Sequence, residues 1–168
     1  MTKIYYQLLA SPVGPFLVAG SDQALHYTGF EQGRQQKLRE SHWVEDAAPL
    51  AYAIDPLQSY FSGEAVEFDV PLVLKGTPFQ QTVWAALQTI AYGQTVSYGD
   101  IARLIGQPGA SRAVGMANNQ NPIPIIVPCH RVIGADGSLT GFGGGLPAKT
   151  TLLQMESDNT KGGQLSLL

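Results

Sequence analysis

The apolar positions of this chain change their spacing several times along its length. Near the N-terminus they form short runs at Tyr5–Leu9, 16–19 and 25–29, parted by Ser11-Pro12-Val13-Gly14-Pro15 and by Ser21-Asp22. Short apolar runs between turn residues predict a β-meander. Leu50, Ile54, Leu57 and Phe61 then recur at helical spacing, and Gly63 ends that pattern. Val66, Phe68 and Val70 alternate with the acidic Glu67 and Asp69, which predicts a half-exposed strand.

The pattern shifts at residues 73–76, which read as a linker. Thr77 opens a helix: Thr77 and Gln80 match a capping box, and Pro78 takes the first helical position. Phe79, Val83, Trp84, Leu87 and Ile90 supply its buried stripe. Ser97 and Asp100 cap a second, short helix through Ile101, Leu104 and Ile105, and Gly106-Gln107-Pro108-Gly109 breaks it. A third helix over 110–118 is rich in small residues. Helix, short Gly/Pro turn and helix together predict a helix-turn-helix. The third helix carries few long polar side chains, chiefly Arg112, Asn118 and Asn119. Its small face suits close approach to a narrow surface such as a DNA minor groove. Beyond it come an Asp136-Gly137 turn, a glycine-rich stretch over 140–145, and a last helix starting at Pro147. The predicted fold is α+β. A small N-terminal α/β lobe (1–75), a short antiparallel sheet plus a helix, precedes a C-terminal winged helix-turn-helix-like lobe (76–160). Residues 161–168 read as a frayed tail.

Composition narrows the function. The apolar share is 44%, enough for an ordinary core, and no apolar run is long enough to span a membrane. One cysteine in 168 residues excludes an intrachain disulfide framework and cysteine-rich zinc sites, so a reducing cytoplasm is the expected setting. His26, His42 and His130 lack ligand spacing, and no metal is expected. The net charge of −3 argues mildly against a polyanionic partner. The charge is unevenly spread. Residues 1–75 carry five Lys/Arg against nine Asp/Glu, and residues 76–168 carry five against four. A polyanion would therefore face the second lobe.

The lone cysteine sits in Pro122-Ile123-Pro124-Ile125-Ile126-Val127-Pro128-Cys129-His130-Arg131-Val132. A solitary cysteine is usually a small buried hydrophobe. This one lies between a stiff apolar segment and two potentially cationic side chains, where a thiol readily becomes a nucleophilic thiolate. Chemistry is therefore expected at Cys129.

Asn121-Pro122, Pro128-Cys129-His130-Arg131-Val132 and the glycine-rich stretch together resemble the O6-alkylguanine-DNA alkyltransferases. Ser97-Tyr98, Ser111-Arg112-Ala113-Val114-Gly115 and the late Glu156 fit the same family. The resemblance is close over 76–158 and general in the first 75 residues. It implies that the Cys129 thiolate attacks the alkyl carbon on guanine oxygen-6. His130 would accept the thiol proton through a bridging water, and Glu156 would orient the imidazole. Such an enzyme flips the lesion out of double-stranded DNA from the minor groove. Arg112 would occupy the vacated space, with Ala110, Ser111, Ala113 and Gly115 against the groove. Tyr98 would aid flipping and serve the leaving guanine, and Asn121 would brace the junction of helix and active-site strand. Arg131 would position that strand, and Val132, Phe142 and Gly143 would line the guanine pocket. Phe142 stands where some members have Tyr, and Gly143 where some have Ser. The thioether product has no carbonyl for water to attack, so each chain would react once. No cofactor is implied, and a monomer is expected.

Three rivals remain in view. A non-catalytic lesion binder would lack the reactive cysteine, and a helix-turn-helix regulator would not need Pro-Cys-His-Arg. A cysteine hydrolase would have to draw its histidine from His26 or His42, and neither sits in a motif.

Overall fold

The computed structural model describes residues 2–31, 39–140 and 145–167, with side chains to residue 160. Strands β1 (Tyr5–Leu9), β2 (Phe16–Gly20) and β3 (Leu25–Phe30) pair as an antiparallel meander. A two-residue strand β4 (Val44–Glu45) closes the sheet in the order β3-β2-β1-β4. It pairs with β1 in parallel, through Val44 N–H to the Ile4 carbonyl at 3.0 Å and Asp46 N–H to the Tyr6 carbonyl at 3.1 Å. The sheet is therefore mixed, not wholly antiparallel as expected. The long connection after β3 gives the chain room to cross over and satisfy the open edge of β1.

Helix α1 (Ala51–Phe61) follows a single 3-10 turn (Ala48–Leu50) and packs its apolar side on the sheet. Leu50, Ile54 and Leu57 are buried as the spacing predicts, and Tyr60 is buried with them. Phe16 seats this core, edge-on to Phe30 and to Phe61 at centroid distances of 4.9 and 5.2 Å.

The strand expected at Val66, Phe68 and Val70 is an extended segment without a ladder. Its apolar residues are half-buried and its acidic ones exposed. Its pairing is one bridge just beyond, where Leu25 exchanges 2.8 Å hydrogen bonds with Pro71 and Val73. The rest of that sheet edge is already occupied. Thr28 N–H donates to the Pro122 carbonyl at 3.1 Å, and its hydroxyl donates to the Pro124 carbonyl at 2.8 Å. The segment approaching Cys129 thus lies along β3 of the first lobe.

Helix α2 (Pro78–Leu87) has both bonds of the expected capping box. Gln80 N–H donates to Thr77 Oγ1 at 3.1 Å, and Thr77 N–H donates to Gln80 Oε1 at 2.9 Å. Trp84 is core, as read, and its indole N–H donates to the Ala117 carbonyl at 2.9 Å. That bond ties α2 to α4 (Ser111–Asn119). Helix α3 (Tyr98–Leu104) is capped by Ser97 and Asp100 in the same reciprocal way. Gly106, at φ +78°, lets the chain turn from α3 toward α4. The wing is minimal: β5 (Val96–Ser97) pairs in parallel with β6 (Val132–Ile133). Helix α5 (Leu146–Leu167) runs on through the residues read as a frayed tail. Extending an existing helix adds one hydrogen bond per residue without a new nucleation cost, so Gly162-Gly163 does not end it.

Thr28→Val keeps shape but leaves the Pro124 carbonyl without its buried donor. It should cost about 1–3 kcal/mol, read as a lower urea midpoint at unchanged slope.

Candidate active site and DNA-facing helix

Cys129 begins a 3-10 turn (Cys129–Arg131) and does not lie in a strand. The expected active-site strand is only β6, which starts after the turn. The approach to the turn is held under strain. Ile125 is fully buried with φ at +77°, a region that β-branched residues rarely enter. Asn121 staples this bend from both sides. Its amide N–H₂ donates to the Val127 carbonyl at 2.7 Å, and its oxygen accepts from Ile123 N–H at 2.9 Å. Asn118, on α4, donates to the Cys129 carbonyl at 3.3 Å. The helix-turn-helix and the reactive turn are therefore joined by two asparagines.

The Cys129 thiol is buried, and burial pushes its pKa up to about 11. The expectation of a ready thiolate is corrected at this point. The flanking residues in sequence do suggest a cationic setting. The folded site instead removes the sulfur from water, and the opposing pull of the Asn121 amide and the Lys149 charge does not overcome that. Lys149 is a site residue that the sequence did not single out. It is fully buried on α5, and its ammonium donates to the carbonyls of Val132 and Thr140 at 2.6 and 2.9 Å. Burial pulls its pKa down to about 8, against the charge of Cys129.

The turn after Cys129 meets a buried carboxylate with several donors. Glu156 Oε2 meets His130 Nε2 at 2.6 Å and accepts from the Tyr60 hydroxyl at 2.6 Å. Its Oε1 accepts from Arg131 Nε at 2.8 Å and from Gly93 N–H at 3.0 Å. Arg131 adds a second donor to Oε2 at 3.2 Å and anchors its other arm on the Ile90 carbonyl at 2.8 Å. Burial opposes the charge of Glu156, but the hydrogen bonds from His130 and Arg131 and the charge of Arg131 outweigh it and hold the carboxyl below its usual range. An ionised carboxylate only accepts, so the proton between the pair sits on His130 Nε2. Burial lowers the pKa of His130, with Glu156 acting in the other direction, so the ring is neutral at rest. Its buried Nδ1 has no hydrogen-bond partner among the described residues. A fixed, neutral imidazole with a free lone pair can serve as a proton acceptor.

Gly93 has two reasons to be glycine. Its φ is +81°, and a Cβ there would meet Thr160 Oγ1 at 2.0 Å.

Helix α4 presents Arg112 and Ala113 exposed, with Ala110, Ser111 and Gly115 half-buried beside them. Tyr98, the first residue of α3, lies 3.8 Å from where a Gly115 side chain would begin. Its hydroxyl donates to the Thr140 carbonyl at 3.0 Å. Val132 is fully buried behind the turn. Phe142 and Gly143, expected in the guanine pocket, lie outside the described residues. The structure thus gathers Cys129, His130, Arg131, Val132, Asn121 and Glu156, with Tyr98 on the neighbouring helix and Arg112 one helix further out. Sequence reasoning missed Tyr60, Lys149 and Gly93. Ala53, Leu57 and Tyr60 share a helix face, and Ala148 and Leu152 flank Lys149 at buried positions. Those spacings were the available signals. Among the described residues no helix is long and apolar enough to cross a membrane, and no three His, Cys, Asp or Glu side chains cluster as metal ligands.

A buried cysteine before a His–Glu pair, beside a helix-turn-helix, is the arrangement of a candidate nucleophile next to a DNA-binding type of motif. Two family models divide the chain between them. The 6-O-methylguanine DNA methyltransferase, DNA binding domain, matches residues 78–158, and the ribonuclease-like domain of the same methyltransferase matches residues 4–74. The methylated-DNA–protein-cysteine methyltransferase of Mycobacterium tuberculosis is 53% identical over 153 residues, covering 91% of this chain and 92% of the relative. The protein of the same name from Methanosarcina acetivorans is 51% identical, covering 91% of this chain and 98% of the relative. A crystal structure of Mycobacterium tuberculosis OGT in complex with DNA superposes with a TM-score of 0.85 at 51% identity, covering 92% of this chain and 94% of that one. The chain belongs to the O6-alkylguanine-DNA alkyltransferases, the methylated-DNA–protein-cysteine methyltransferases.

The protonation states set how stability depends on pH. The unfolded chain protonates His130 near 6.5 and Glu156 near 4.5, while the folded chain resists both. The unfolded state therefore binds more protons below 6.5, and stability falls as pH drops through that value and on through the carboxylate range. The urea midpoint should decline steadily from pH 7 to pH 4, and His130→Gln should flatten the upper part of that decline.

Proposed function

We propose that this chain repairs O6-alkylguanine in double-stranded DNA by moving the alkyl group onto its own Cys129. Direct reversal of this damage is the activity of the family. The observation that supports the residue assignment is a buried thiol followed in the chain by a neutral His130 whose Nε2 is committed to Glu156 and whose Nδ1 has no partner among the described residues. In this reading Cys129 Sγ loses its proton to His130 Nδ1 through an intervening water. It then forms a bond to the alkyl carbon as the bond from that carbon to guanine oxygen-6 breaks. The electron pair returns to guanine, and the proton lost by sulfur ends on the released base, with the Tyr98 phenol donating at the ring and regaining its proton from His130. The net change is an alkyl group carried from oxygen to sulfur and a proton carried from sulfur to guanine. The alkyl group becomes a thioether, so the protein is consumed with its first substrate.

A thiol held at about 11 needs help at the moment of attack, and three groups are placed to give it. The Asn121 amide and the Lys149 ammonium stabilise developing negative charge on sulfur, and the His130–Glu156 pair receives the proton. The two domains are taken as 1–75 and 76–160. The first supplies the scaffold against which the reactive turn is strained, and the second supplies the chemistry.

The DNA-facing surface is α4 with the start of α3. Its small side chains, Ala110, Ser111, Ala113 and Gly115, permit close approach to a minor groove, and Arg112 takes the place of the extruded base. Val132 and Arg131 border the guanine pocket. A monomer acting in the cytoplasm, without cofactor or metal, fits this chemistry.

The deciding experiment is the intact mass of the protein after mixing with an oligonucleotide bearing one O6-methylguanine, followed by peptide mapping. One added methylene per chain, on the Cys129 peptide, is expected. No added mass with the oligonucleotide still bound would favour a non-catalytic lesion binder. Cys129→Ser should abolish transfer and leave DNA binding intact. Arg112→Ala should slow repair in duplex by about tenfold or more, since unstacking a base costs a few kcal/mol, with far less effect on the free alkylguanine base. Equal loss on both substrates would refute the role given to Arg112.

A further inference from the structure

Among the described residues, Tyr60 is the side chain of the first lobe bonded to the reaction centre. It stands on α1, and its fully buried ring lies 6.4 Å from the His130 ring and 6.0 Å from that of Tyr92. Its hydroxyl is 2.6 Å from Glu156 Oε2 and 3.3 Å from His130 Nε2. The oxygen it meets is the same one that holds the imidazole. Burial and the neighbouring carboxylate keep the phenol protonated, so the hydroxyl donates and Glu156 accepts. A carboxylate with one fewer donor would be free to rotate and would hold its charge on fewer partners. Either change reaches His130, whose ring is oriented by that oxygen.

We propose that Tyr60 is a positioning residue for alkyl transfer, through which the first lobe fixes Glu156 and, by way of Glu156, the free nitrogen of His130. The proposal rests on the reading of His130 as the proton acceptor. The groups facing His130 are Glu156 and Lys149 from α5, Tyr60 from α1, and Cys129 and Arg131 from its own turn, with Tyr92 behind Tyr60 and Arg131. Of these, Tyr60 is the neutral donor whose removal changes no formal charge.

The test is single-turnover methyl transfer from a duplex oligonucleotide, followed from pH 5.5 to 9, for the wild type and for Tyr60→Phe. The variant keeps the ring and its aromatic contacts. Transfer at pH 7 should slow by about tenfold, less than the roughly 10²–10⁴-fold that a general base itself contributes. The acid limb should move to higher pH by about half a unit, because a less solvated carboxylate favours the protonated imidazole. Tyr52→Phe is the matched control. It removes a 2.7 Å hydroxyl bond from the same helix to the Ser21 carbonyl, away from the site. A Tyr60→Phe profile that overlays the Tyr52→Phe profile would overturn the proposal. His130→Gln separates the two readings. If it transfers at the wild-type rate, the acceptor assignment fails; if it is slow while Tyr60→Phe is normal, only the role of Tyr60 fails. The unsubstituted protein offers a check that does not depend on a variant folding. Its Tyr60 hydroxyl proton should exchange slowly and show a nuclear Overhauser contact to the His130 ring, and absence of that resonance would overturn the proposal.

Discussion

The structure depends on one buried carboxylate. A carboxylate removed from water is costly unless its lone pairs are filled. Glu156 meets this condition with donors drawn from separate parts of the chain: Tyr60 from α1, Gly93 from the turn after α2, His130 and Arg131 from the 3-10 turn. None of these segments could shift alone without leaving the charge short of a partner. Truncating one donor from such a network typically costs several kcal/mol because the remaining charge stays buried. The same carboxylate that ties the lobes together also decides which nitrogen of His130 carries the proton. Structural and chemical roles are here a single interaction.

Around this charge the backbone is bent to present sulfur. Ile125 sits in a conformation that would relax if its surroundings allowed it, and Asn121, Thr28 and the packed apolar neighbours prevent that. Both braces bond to backbone carbonyls, so they fix the path of the chain and leave the side chains free to be chosen for packing. The reactive turn is thereby held rigidly against β3 and α4 before any substrate arrives, which is the preorganisation a reaction at a single sulfur needs.

Much of this was legible in the sequence where local rules decide the outcome. Two capping boxes were visible because each needs only two residues three apart, and both are present in full. The Cys-His-Arg step stood out because its residues are adjacent in sequence, and Asn121 through the resemblance carried by Asn121-Pro122. What escaped was set by contacts distant along the chain. Tyr60 was hidden beside Phe61, whose spacing from Leu57 and Ile54 drew the eye. Lys149 was not singled out, because a lysine on a helix is ordinarily solvated, whereas this ammonium is buried among carbonyls. The extended segment at 66–70 has a strand's alternation, but whether it finds a partner depends on Pro122 and Pro124 having claimed the edge first. The acidity of the thiol was misjudged for the same reason. Neighbours in sequence report nearby charge, whereas burial, which prevails here, is a property of the whole fold.

The buried, weakly acidic thiol also bears on how long an unreacted molecule lasts. A protein that can act only once is lost if its sulfur meets the wrong electrophile. Oxidants and small alkylating agents select thiolates that are exposed, and Cys129 is neither exposed nor ionised at rest. On the proposed reading of Cys129 as the acceptor, its depth acts as a shelf-life device: a buried, protonated sulfur is slow to meet the other electrophiles in solution.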